Sequence, residues 1–169
     1  NIYNFIHYFM SNVEKFNKIF DEFLTKLINH FKNDKLSSYY RGFKMIKVID
    51  VELPSMIFMS SCFHLKDKIK KRDADFFIND KDILNTSRNY GNFSDQLDLE
   101  KHWDKIPDDT KKSIWDYIQT LFVLGEFIII DKEDKFKSFL KNNSDDYREE
   151  IKDIQGGKFS NEFIKKLKQ

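Results

Sequence analysis

The spacing in this sequence most suggestive of metal chemistry is Asp73-Ala74-Asp75. Two aspartates one residue apart can share an octahedral divalent cation through hard oxygen ligands, and some transferases hold a diphosphate in that way. Such a site also needs a loop that cradles phosphate, and no stretch here matches a P-loop or a dinucleotide fingerprint. The pair therefore reads as a loop-forming element. Cys62-Phe63-His64 offers two zinc ligands where a structural site takes four, and His7, His30 and His102 have no spaced partners. Cys62 reads as a small core side chain, since a Cys-His nucleophile would need His30 or His102 folded against it. Asp108-Asp109, Asp145-Asp146 and Glu149-Glu150 are acidic pairs among 28 acidic residues, whereas general acid work needs a desolvated carboxyl. We expect no catalytic residue, no cofactor and no bound metal.

The cations carry a different chemistry. Lys66, Lys68, Lys70, Lys71 and Arg72 could neutralise several phosphates, and Lys158, Lys165, Lys166 and Lys168 form a second basic cluster. Asp67 and Asp73 interrupt the first cluster, and cations in the last turns of a helix also complement its negative end. Across the chain 29 Lys and Arg face 28 Asp and Glu, so no global field draws it onto nucleic acid, and binding rests on the two clusters sharing a face. The aromatic residues follow core spacings rather than an exposed stacking platform. Cys62 is the single cysteine, which excludes an intrachain disulfide and points to a reducing compartment.

The elements that position these groups are read as helices. A chain of 169 residues fits one domain, able to bury roughly two thirds of its unfolded surface. Its 40% hydrophobic content includes 18 Phe, while 5 Gly and 2 Pro leave few breaks. Ile2, Ile6, Phe9, Val13, Phe16, Phe20, Phe23 and Leu27 alternate spacings of four and three, which predicts a long amphipathic helix over 2–31. Ile19, Leu24, Ile28 and Phe31 widen the stripe beyond a coiled-coil seam, so it suits a globular core.

A polar turn at 32–35 leads to a short helix over 36–48, weakened by Gly42, and Asp50 with Pro54 opens a helix over 53–72. An irregular stretch carrying Phe76 and Phe77 follows, then a long loop over 79–94. Ser94 caps a helix through Leu97, Leu99 and Trp103, and Pro107 opens a second anchor helix through Ile114, Trp115, Ile118, Leu121, Phe122 and Gly125. The run 127–130 is read as the end of that helix, with a short buried strand as the alternative. Short amphipathic helices over 132–140 and 145–154 precede Gly156-Gly157 and a last segment capped by Ser160. The expected fold is an all-α, compact single-domain helical bundle, with a helical domain over 1–155 and a C-terminal helical extension over 156–169.

The chain starts without Met, a basic leader or a small-residue cleavage site, so we expect a trimmed chain rather than a secretory signal. The most apolar run, 121–130, is interrupted by Glu126 and falls short of the ~20 residues a bilayer demands, so no membrane partner is expected.

Asp73-Ala74-Asp75-Phe76-Phe77, then His102-Trp103, then Lys112-Ser113-Ile114-Trp115-Asp116-Tyr117-Ile118-Gln119-Thr120-Leu121, together resemble a group of uncharacterised helical proteins of nucleocytoplasmic large DNA viruses, the giant viruses. The resemblance covers residues 43–125; the first helix lies outside it, and Ala74 and Gly125 vary. It rests on core residues, so it implies a shared fold before a shared activity, and it carries over no site residues. It implies a protein acting in an infected cell, in the host cytoplasm, the virus factory or the virion. We therefore expect a non-enzymatic protein–protein interaction module: an adaptor, a virion component or a modulator of host machinery. Its expected contacts are Tyr90, Trp103, Trp115 and Tyr117, in a groove between the first helix and the Trp115 helix or on the 79–94 loop. The competing reading is an architectural nucleic-acid binder using Lys66, Lys68, Lys70, Lys71, Arg72 and the C-terminal lysines. Self-association through the exposed face of the first helix stays open.

Overall fold

Ser11 starts the first helix by satisfying two backbone donors at once. Its backbone is extended, its Oγ accepts from the Glu14 N–H at 3.2 Å, and the Glu14 carboxylate accepts from the Ser11 N–H at 2.7 Å. The computed structural model describes residues 10–74 and 102–143. Helix α1 is Asn12–Phe31, so the helix expected over 2–31 does not run unbroken; the apolar period continues through Ser11, but the capping box stops the helix there. At its other end Lys32 adopts a left-handed backbone, φ 48°, and donates to the Ile28 carbonyl at 2.8 Å.

Asn33 then caps α2, Asp34–Ile49, by accepting from the Lys35 N–H at 2.9 Å. Asp50 closes that helix and accepts from the Glu52 N–H at 2.9 Å, ahead of α3, Leu53–Cys62, with Pro54 in its first turn. The single helix expected over 53–72 is broken. After α3 come a 3-10 turn at Phe63–Leu65 and a short α4, Lys66–Lys70. The hydroxyls of Ser60 and Ser61 both donate to the Ile57 carbonyl and the Cys62 thiol donates to Phe58, and such back-bonding competes for carbonyls and bends helices. Helix α4 ends in a Schellman motif: Arg72 donates to Ile69 and Asp73 to Lys68, with Arg72 at φ 52° where glycine is usual.

A 3-10 turn at Trp103–Lys105 leads into α5, Asp108–Asp131, followed by α6, Glu133–Asn143. Among the described residues there is no strand, and 127–130 ends α5 as helix. The described helices pack as a compact all-α bundle around α5. Ile114, Trp115, Ile118, Leu121, Phe122, Ile128 and Ile129 of α5 are buried, chiefly against Phe16, Phe20, Phe23, Leu24 and Leu27 of α1. Helix α5 is long and apolar enough to cross a bilayer by length and composition alone, and half of its most apolar stretch is buried against the chain itself. Gly125 admits α3 closely, with Met59 filling the space a side chain would occupy. Phe63 meets Phe136 edge to face at 5.7 Å, which ties α6 to the core. The long loop at 79–94, the Ser94 cap, the 145–154 helix and the C-terminal extension lie outside the described residues, as do residues 1–9.

Candidate functional site

Three of the four aromatic residues expected to meet a partner, Trp103, Trp115 and Tyr117, pack in or against the core. Trp103 and Trp115 are buried and meet edge to face at 6.3 Å. Tyr117 is half-buried, stacks on Phe23 at 4.9 Å and donates its hydroxyl to Glu22, with Lys26 over the ring at 5.1 Å. Burial and the Glu22 carboxylate raise the Tyr117 hydroxyl above its ordinary range, and the Tyr117 and Lys26 bonds lower Glu22. The groove expected between the first helix and the Trp115 helix is therefore filled: α1 and α5 pack directly against each other. Tyr90 and the 79–94 loop lie outside the described residues.

Part of the basic run on α4 turns inward. Lys66 donates to Glu126 of α5 at 2.9 Å, with the two side chains 21% and 12% exposed. Arg72 pairs with Asp116 and donates to Gln119 at 2.9 and 3.2 Å, while the Gln119 amide donates to the Ile69 carbonyl at 3.0 Å. These bonds brace α4 against α5. Lys70 and Lys71 are exposed and Lys68 is half-buried, so the five cations do not form one free face. The lysines at 158, 165, 166 and 168 lie outside the described residues.

The candidate chemical groups are dispersed. Burial raises the Cys62 thiol well above its ordinary range, and the nearby Glu126 charge adds to the effect. His30, His64 and His102 are exposed, and among the described residues no three His, Cys, Asp or Glu side chains converge as a metal site. Asp73 is half-buried, and Asp75 lies outside the described residues.

A carboxylate pair has a structural task at the α2–α3 turn. Lys135 of α6 reaches Asp50 at 2.7 Å and Glu52 at 2.8 Å, with Lys132 at 3.5 Å from Glu52. Burial pushes the Asp50 carboxyl up, but the Lys135 bond and the Glu52 N–H outweigh it and hold Asp50 below its ordinary value. Lys135 likewise holds Glu52 low.

The last turns of α2 and that latched turn carry the most exposed apolar side chains of the described residues. Met45 is 69% exposed, Val48 85%, Ile49 79% and Val51 57%. Positions 45, 48 and 49 fall at the i, i+3, i+4 spacing that places them together on α2, facing away from buried Leu36 and Phe43. Val51 links this patch to an open cleft of about 1300 Å³ between the start of α1, the turn and the end of α5, where Val13, Lys47, Phe127 and Ile130 also line the wall. Asn17, 7% exposed, donates to the Val51 carbonyl at 2.8 Å and fixes the turn, while its Oδ1 is buried without a hydrogen-bond partner among the described residues.

Arg41 and Lys44 lie one turn before Met45 and Val48 on α2, and Lys47 lies toward the Phe43 side of the helix. Arg41 donates to Ser38 at 3.0 Å, Lys44 sits over the Tyr40 ring at 4.5 Å, and Lys47 over the Phe43 ring at 5.4 Å. Among the described residues none of the three meets a carboxylate. The sequence signal for this patch was present but mixed. The 16 residues of α2 carry two apolar arcs, Leu36, Tyr39, Tyr40, Phe43 and Ile46 on one side and Met45, Val48 and Ile49 on the other, where one arc suffices for a core helix.

Compared with protein-family models, with curated proteins and with solved structures, the chain matches none.

Proposed function

We propose that this chain is a non-enzymatic protein–protein interaction module of a giant DNA virus, acting in the infected cell as an adaptor, virion component or modulator of host machinery. The observation that carries the reading is the run of exposed apolar side chains Met45, Val48, Ile49 and Val51 beside an open cleft. Single exposed apolar residues are ordinary, but a contiguous apolar patch rimmed by polar groups marks an interaction surface. The viral setting rests on the resemblance carried by Asp73-Ala74-Asp75-Phe76-Phe77, His102-Trp103 and residues 112–121. Against the nucleic-acid alternative stands the pairing of Lys66 and Arg72 with Glu126 and Asp116, which withdraws two cations from any phosphate backbone.

The test is a photocrosslinking amino acid placed at Val48, with exposed Lys112 as the control position, in the full chain exposed to infected-cell lysate. The expected result is one stoichiometric partner joined from position 48, not from 112, and lost when Met45→Asp and Ile49→Asp are added. Equal labelling from both positions, or none from 48, defeats the reading. A salt-sensitive shift of short duplex DNA, abolished by Lys70→Glu and Lys71→Glu, would put the nucleic-acid reading in its place.

A further inference from the structure

We propose that the α2 surface receives an acidic amphipathic helix of its partner, an inference that rests on the interaction-module reading and names the chemistry of the partner. Helix α2 carries Lys35, Arg41, Lys44 and Lys47 against a single acid, Asp34. Several cations elsewhere in the bundle are met by carboxylates: Lys66 by Glu126, Arg72 by Asp116, and Lys132 and Lys135 by the acids of the α2–α3 turn. Arg41, Lys44 and Lys47 instead rest on a hydroxyl and two aromatic faces. An incoming carboxylate therefore meets cations already held in place and displaces no internal ion pair.

The apolar component decides the class of partner. Met45 and Val48 lie one turn along α2 from Arg41 and Lys44, so a ligand that used charge alone, such as a phosphate backbone, would leave the exposed apolar side chains in water. A helix with apolar residues at i, i+3 and i+4 and Asp or Glu on its flanks covers both features at once. The cleft beyond Val51 is lined by Val13, Phe127 and Ile130 but also by Glu14, Asp21, Glu52 and Asp131, so it fits a protruding apolar side chain of the partner helix and leaves its carboxylates to the α2 cations. A basic helix would bring like charge against Lys44 and Lys47.

A displayed library of short amphipathic helices, with Leu, Ile or Phe at apolar positions and Glu, Gln or Lys at every other position, is selected on the full chain at low salt. Binders that lose affinity for the Val48→Asp/Ile49→Asp chain are sequenced. We expect Glu to dominate their polar positions, and the Gln version of a selected peptide to bind at least about tenfold more weakly, a gap that narrows at high salt. Lys44→Gln/Lys47→Gln, which leaves the apolar patch intact, should weaken the Glu peptides by a similar factor and the Gln peptides little. Patch-dependent binders with no charge bias, basic binders, or no enrichment overturn the proposal. Patch-dependent binding to phosphatidylserine vesicles without peptide enrichment overturns it in favour of a membrane. If position 48 still crosslinks a stoichiometric partner while the selection shows no acidic bias, the interaction reading stands and this inference falls; loss of both removes both.

Discussion

Replacing Gly125 with alanine tests how closely α3 and α5 are packed. A Cβ at position 125 would run into the Met59 sulfur and lie 2.7 Å from its Cγ. Favourable carbon contacts lie at about 3.5–4.0 Å, so Met59 must leave its rotamer or the helices must part. Met59 is fully buried and its Cγ is near the backbone, which leaves little freedom to swing aside. Overpacking of this kind costs about 1–3 kcal/mol, and the better helix propensity of alanine returns about 1 kcal/mol. The expected net loss is about 1 kcal/mol, or about 2–4 °C in Tm for a chain of this size. Met59→Ala alone should cost about 2–5 kcal/mol because it empties a core site. In the double variant the new methyl occupies part of that space, so the two losses should sum to about 1 kcal/mol or more above the measured value. Urea unfolding followed by circular dichroism measures all three variants. A Gly125→Ala chain as stable as the parent, together with additive effects in the double variant, would refute the reasoning.

Arg72 sits at φ 52° and also holds Asp116 and Gln119, so Arg72→Gly and Arg72→Ala both lose the side-chain bonds but only glycine relieves the backbone; Arg72→Gly should be more stable by about 1 kcal/mol in urea unfolding, and equal stability counts against the strain. Lys135→Gln should destabilise the fold at neutral pH. Asp50 and Glu52 are held below their ordinary values, so their contribution is present above the unfolded carboxylate range and disappears as pH falls through the folded values. The gap between parent and Lys135→Gln should therefore close below about pH 4, and a gap that stays constant into acid rules out the ion pairs as its source. The Cys62 thiol, buried and shifted upward, should resist iodoacetamide in the native chain and react after denaturation, and native labelling at the rate of a free thiol contradicts its placement.

The phenylalanine spacing at 16, 20 and 23 made the body of α1 legible, because the residues that set the period are the ones buried. Its start was hidden, since Ser11 and Glu14 cap α1 at a point where the apolar spacing of the sequence runs on through Ile2, Ile6 and Phe9. The break after Cys62 was equally hidden: the sequence places hydroxyls at 60 and 61, but which carbonyls they take is settled by geometry. Trp103 and Trp115 looked like contact residues by type, and burial assigned them to the core. The basic run at 66–72 looked free because its partners, Glu126 and Asp116, lie 60 and 44 residues away in sequence, beyond any local reading. The same limit concealed the α2 patch. Met45, Val48 and Ile49 differ from inward Ile46 only by which side of the helix meets the bundle.

The pairing of α1 with α5 sets a schedule for biosynthesis. Glu22 and Tyr117, which join the two helices, are separated by 95 positions, and a ribosome adding roughly 5–20 residues per second needs about 5–20 s to pass from one to the other. Throughout that interval, among the described helices, α2, α3 and α4 are made, while the α5 surface that packs against Phe16, Phe20 and Phe23 is still unmade. The nascent chain thus presents a phenylalanine-rich face to the cell before it is finished, a window in which chaperone capture competes with aggregation.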